Sequence, residues 1–139
     1  SLHSTRFVFA PESLLFLQKG GRIGKAAALI GNMISLTPVL TVNDGEASTF
    51  SKCRTQKKAL AKMLQVLGED TVPSGLKNLV VHYIGSKAPA VKWAEEKVAP
   101  LIGFMPRVVP ASPAMGIAYE CNAPIPNKFH GSEPEIIVC

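Results

Sequence analysis

Three groups of residues in this sequence are of types that do chemistry, and the spacing of each can be tested. The run Gly20-Gly21-Arg22-Ile23-Gly24-Lys25 invites comparison with a phosphate-binding loop. Such a loop sets four residues between its glycines, so that backbone N–H groups surround the phosphate. It follows its lysine with Ser or Thr for the metal ion. Here three residues separate Gly20 from Gly24, and Ala26 follows Lys25. Two readings stand. The run is a turn between helices that uses glycine's backbone freedom, or it brings Arg22 and the free N–H groups of the next helix to an acidic ligand.

The second group is basic: Lys52, Arg54, Lys57, Lys58 and Lys62. Lys58 and Lys62 are like charges at i, i+4, and Lys57 and Lys58 fall in the positive first turn of the helix expected there. Each arrangement costs about a few tenths of a kcal/mol. An acidic partner docked on the patch would offset that cost, and a solvated helix face tolerates it.

The third group is the histidines, cysteines and acids, and it forms no recognisable constellation. There is no C-x-x-C or H-x-x-x-H for a metal and no G-x-S-x-G for a nucleophile. His82 lies within an apolar strand and reads as a packed or surface strand histidine. Glu95 and Glu96 point to different sides of a helix and read as solvated. Neither a cofactor nor a catalytic residue is expected.

The chain has 139 residues, room for one domain with a real core, expected to run over 1–139. Hydrophobic residues are 47% and charged residues 18%, the latter below the roughly 25% usual for soluble domains. Mean hydropathy is slightly positive, which argues against disorder. The apolar surplus points to a groove, a ligand or a missing partner. The net charge of +5 favours anionic partners. Nucleic acid is not expected, because the one Trp and two Tyr lie far from the basic clusters. The longest stretch without formal charge, Ala26 to Asn43, is broken by Gly31, Asn32, Ser35, Thr37 and Pro38, so no membrane span is expected. The N-terminus lacks signal-peptide architecture. Three widely spaced cysteines imply no disulfide framework, and a cytoplasmic location is expected.

These residues need elements to hold them. Residues 6–10 read as a strand stopped by Pro11, which opens a helix ending at Gly20-Gly21. Ala26, Leu29, Ile30, Met33 and Ile34 repeat at helical spacing. Thr37 to Val42 and Ala47 to Cys53 read as a hairpin around Asp44-Gly45. Thr55 caps a helix with Ala59, Leu60, Met63, Leu64 and Leu67 inside, followed by a loop from Thr71 to Gly75. A buried strand to Ile84, a helix from Pro89 to about Gly103 and strands at 107–109 and 116–121 follow. Residues 122–139 read as a tail, with Ile136 to Val138 as a possible edge strand. This order predicts an α/β two-layer sandwich, a mixed sheet with helices mainly on one face.

Three segments together are distinctive. They are Leu14-Leu15-x-Leu-x-Lys-Gly20-Gly21-Arg22-Ile23, Thr37-Pro38-Val39-Leu40-Thr41-Val42-x-Asp44-Gly45, and Arg54-Thr55-x-Lys57-Lys58-Ala59-Leu60. With Ala114-Met115-Gly116-Ile117-Ala118-Tyr119, they resemble the C-terminal half of the DegV family over about residues 6 to 121. That family consists of bacterial fatty-acid-binding proteins, including the acyl-carrying subunit of fatty acid kinase.

The resemblance implies a non-catalytic lipid carrier, holding a long-chain fatty acid between two domains and presenting it to a kinase subunit. The family's N-terminal domain, with the Thr and Ser of its carboxylate site, is missing from this chain. Ile23, Ala27, Ile30, Ile34 and Pro38 would wall the acyl chain. Arg22 would lie near its acid end or the domain junction, and the basic patch would face the kinase. The family's His-Thr-Gly-Pro-Gly is replaced by Val109-Pro110-Ala111-Ser112-Pro113, leaving Ser112 as the substitute candidate for the head group. The alternative implied by the same resemblance is a DegV-like domain of the catalytic subunit itself, attached to a dihydroxyacetone-kinase-like domain.

Overall fold

Val8 and Ala10 belong to one hydrophobic cluster, Phe7 and Phe9 to another. A strand with a side-chain period of two divides its residues in this way. In the computed structural model, residues 4–11, 14–24, 26–27, 37–43, 45–111, 114–125 and 137–138 are described. The strands are β1 (Thr5–Pro11), β2 (Thr37–Asn43), β3 (Glu46–Cys53), β4 (Leu76–Tyr83), β5 (Arg107–Pro110), β6 (Ala114–Cys121) and β7 (Ile137–Val138). They form one mixed sheet in the order β5-β4-β6-β1-β2-β3-β7. Only β4–β5 and β3–β7 are parallel. The expected two-layer α/β architecture is what the chain adopts.

The helices are α1 (Leu15–Lys19), α2 (Gln56–Ser74), α3 (Lys87–Trp93) and α4 (Ala99–Ile102), with a π-helical turn, Ala94–Val98, joining the last two. Thr55 caps α2 as its residue type predicts: its Oγ1 accepts the Lys58 N–H at 3.1 Å. The helix then runs through Pro73, where a loop was expected. Contacts distant in sequence hold its end. Asn122 and Ala123 donate N–H groups to the Gly75 and Ser74 carbonyls at 2.7 and 3.0 Å, and Ser74 Oγ donates to Pro124 O. The first two bonds satisfy carbonyls that a helix end otherwise leaves unpaired.

Helices α2 and α3 cover one face of the sheet. Ala59, Met63, Val66 and Leu67 pack with Val8, Val39, Val81 and Ile117, all essentially inaccessible. Into this core α2 also brings Asp70, 1% exposed. The Tyr119 hydroxyl donates to Asp70 Oδ2, and Arg6 Nε lies 2.7 Å from the same oxygen. The Arg6 guanidinium carbon also sits 5.5 Å from the centre of the Phe50 ring. Burial, and then the bond to Asp70, raise the Tyr119 hydroxyl far above the usual tyrosine range. Among the described cysteines, Cys121 is a buried free thiol and Cys53 is disulfide-bonded, which the odd count and wide spacing did not imply.

Candidate functional site

Among the described residues, the other face of the sheet is covered at one end. Leu14, Leu17 and Ala26 are buried there with Phe9, Leu40, Ala47 and Ala114. The rest of that face is open among the described residues. Phe7, Val42, Val80 and Ala118 line a cavity of about 590 Å³, with Thr5, Asn78 and Glu120 among its polar residues. A volume of this order suits a small-molecule ligand, as does an apolar lining with a few polar groups.

Register explains how the floor is laid. Strand β6 lies between β1 and β4, with Ala118 opposite both Phe7 and Val80, and Gly116 opposite both Phe9 and His82. Strands two places apart are separated by about 9–10 Å, yet the Phe7 and His82 rings have centroids 5.0 Å apart. They meet because β6 places only glycine and alanine beneath them. Gly116 is itself fixed by close approach: a Cβ there would lie 2.1 Å from the Val8 carbonyl oxygen. Burial holds His82 below the ordinary histidine range and so favours its neutral form. Its Nε2 is buried with no hydrogen-bond partner among the described residues. His82 also lines a second cavity, of about 220 Å³, with Leu60, Trp93, Met115 and Gln56 among its walls.

The glycine run clasps the hairpin. Gly21, at φ 71°, ends α1, with Arg22 N–H donating to Leu17 O and Gly21 N–H to Gln18 O. Ala47 N–H donates to Arg22 O at 2.8 Å. Gly24 lies so near the hairpin that a Cβ would come within 2.8 Å of Ala47 O. The glycines are thus accounted for as turn and close-approach residues. Arg22 is exposed, its Nη1 3.4 Å from the Gly45 carbonyl.

Of the expected acyl wall, Ile23 is partly buried against the second cluster, Ala27 is exposed, and Pro38 is fully buried in β2. Ile30, Ile34 and Ser112 lie outside the described residues. The basic residues gather where β3 leads into α2. Arg54, Lys57 and Lys58 are exposed, Lys52 and Lys62 partly so, and none forms an ion pair among the described residues. Glu95 and Glu96 are exposed, as expected. Among the described residues no group of His, Cys, Asp and Glu is placed to hold a metal, and no helix is long and apolar enough to cross a membrane.

No motif singled out Phe7, Val42, Val80 or Ala118. Their signal was weaker: β1 and β4 are apolar at successive positions, Phe7-Val8-Phe9 and Leu79-Val80-Val81, so both faces of the sheet seek cover.

The family model described as "Uncharacterised protein, DegV family" matches residues 2–117. A DegV domain-containing protein of Clostridium acetobutylicum is 42% identical over 127 residues, covering 86% of this chain and 45% of that one. The stearic-acid-binding protein of Eubacterium ventriosum has a similar fold, with TM-score 0.68 and 24% identity, over 87% of this chain and 46% of that one. DegV of Bacillus subtilis, a fatty acid binding protein, gives 0.60 and 26%, over 85% and 45%. The fatty acid kinase B3 protein of Streptococcus pneumoniae, loaded with linoleic acid, gives 0.60 and 16%, over 84% and 44%. The chain therefore spans about half the length of the proteins it matches.

Proposed function

The chain belongs to the DegV family, and on that premise we propose that it is the acyl-chain-binding, C-terminal half of a non-catalytic fatty acid carrier. The observation that carries this reading is the open apolar floor of Phe7, Val42, Val80 and Ala118 in a member of this family. An acyl chain laid on that floor would be closed over by an N-terminal domain, which the whole protein would supply. Each CH₂ withdrawn from water contributes about 0.8 kcal/mol, so a chain of about 16 carbons binds firmly through apolar contact alone. Arg22, Ile23, Ala27, Ile30, Ile34, Pro38 and Ser112 extend the proposed site beyond the floor.

The exposed basic group at the start of α2 is the surface proposed to meet a kinase subunit, since exposed like charges favour an acidic partner. Fatty acid is the ligand of this reading, and no cofactor enters it.

The complete chain encoded by its gene, expressed in bacteria, is expected to carry one fatty acid in native mass spectrometry. After delipidation it should take up added palmitate stoichiometrically. A well-folded protein that carries no lipid and takes up no palmitate would sink the reading.

A further inference from the structure

Resting on that reading, we propose that His82 is a head-group contact: its Nε2 hydrogen-bonds the carboxyl group of the bound fatty acid. Nε2 is buried and has no hydrogen-bond partner among the described residues. A buried polar atom left in that state is destabilising, so a partner supplied by a ligand gains what the empty fold forgoes.

The strands explain why their own residues supply no partner. His82 is flanked in register by Gly116 on β6 and Val109 on β5. Neither neighbour has a polar side-chain atom. Val80, two residues along the same strand and on the same face, is apolar as well. The ring leans over glycine and alanine onto Phe7, and Phe7 lines the large open cavity. His82 is thus a polar group beside that floor, in ring contact with Phe7 at its edge and lining the neighbouring second cavity.

The chemistry fits a carboxyl group. A neutral imidazole carries one N–H and one acceptor nitrogen. With the proton on Nε2, it donates to a carboxylate oxygen, a charge-assisted bond stronger than one between neutral groups. The rest of the ligand meets Phe7, Val80 and Ala118, which contribute affinity without orientation. His82 would therefore fix which end of the chain lies at this edge, a specificity that apolar contact cannot provide.

The test uses the complete, delipidated protein with palmitate as the probe. With ¹⁵N-labelled histidine, the Nε2 resonance of His82, assigned by its loss in His82→Gln, is expected to shift on saturation with palmitate. His82→Phe should weaken palmitate binding about 10-fold while leaving methyl palmitate within about 2-fold, and His82→Gln should recover most of the loss. Saturation with palmitate at an unmoved Nε2 resonance overturns the proposal. Equal losses for acid and ester overturn it too, because they assign His82 to packing. A wild-type protein that binds no palmitate removes the fatty acid reading itself, and this contact with it.

Discussion

The two faces of one sheet use similar apolar residues to opposite ends. On the face toward α2 and α3, Val8, Val81 and Ile117 are sealed beneath Met63 and Leu67. The seal includes an ionic group: Asp70 of α2 holds Arg6 of β1 and Tyr119 of β6. On the other face, Phe7, Val80 and Ala118 occupy positions alternating with those core residues and line open space. The difference lies in what covers each face. Helix α2 has 19 residues, while α1 has 5 and, among the described residues, covers the Phe9–Leu40–Ala47 end. Among the described residues, one face is sealed beneath helices and the other keeps open apolar surface.

Substitutions that break the sealed face should cost most. Asp70→Ala leaves Arg6 without its buried carboxylate and is expected to lower stability by about 3–5 kcal/mol, read from urea unfolding. Gly116→Ala acts between the faces, because its Cβ would press on the Val8 carbonyl. Separation of β6 from β1 should cost about 1–3 kcal/mol, measured in the same way. An unchanged midpoint would mean that the strands part without loss.

Tyr119→Phe removes one hydrogen bond from the sealed cluster and should cost about 1 kcal/mol at neutral pH. Its sharper signature is in alkali. Below the ordinary tyrosine range, near pH 10, folded and unfolded chains both keep the proton. Above it the unfolded tyrosine ionises while the buried one stays protonated, so wild-type stability falls as pH rises. The variant should lose that part of the slope. It should retain the part due to Cys121, whose thiol burial also pushes up, with Asp70 adding to the effect.

On the open face the balance reverses. Val80→Ala should lower stability by no more than about 0.5–1 kcal/mol, since the side chain is already partly exposed. Palmitate affinity should nevertheless fall about 3- to 10-fold, by the transfer energy of the lost methyl groups. A variant as weakened in folding as in binding would erase the contrast between the faces.

Much of this could be read from local pattern. The hairpin announced itself through Asp44-Gly45, α2 through Thr55 and its apolar spacing, and the end of α1 through Gly20-Gly21. Each signal is local, acting within a few residues of the element it marks. Asp70 illustrates what such signals miss. It is a charged residue in the helical stripe, and nothing near it in sequence reveals Arg6 or Tyr119 as its partners. The extension of α2 through Pro73 was hidden for the same reason, because the groups that hold its end belong to residues 122–124.

The amino-acid sequence by itself determined the element order, the α/β class, the basic patch and the family, since each rests on residue types at short, fixed spacings. Tertiary structure decided which strands became neighbours, and so which side chains share a face. Phe7 and His82 are 75 positions apart, and they meet only because β6 lies between their strands with glycine and alanine at the crossing. Pleating fixes the face of each residue along a strand, but strand order fixes its neighbours across the sheet. The apolar surplus was therefore visible in composition, while its place, an open floor with a polar group beside it, followed from strand pairing.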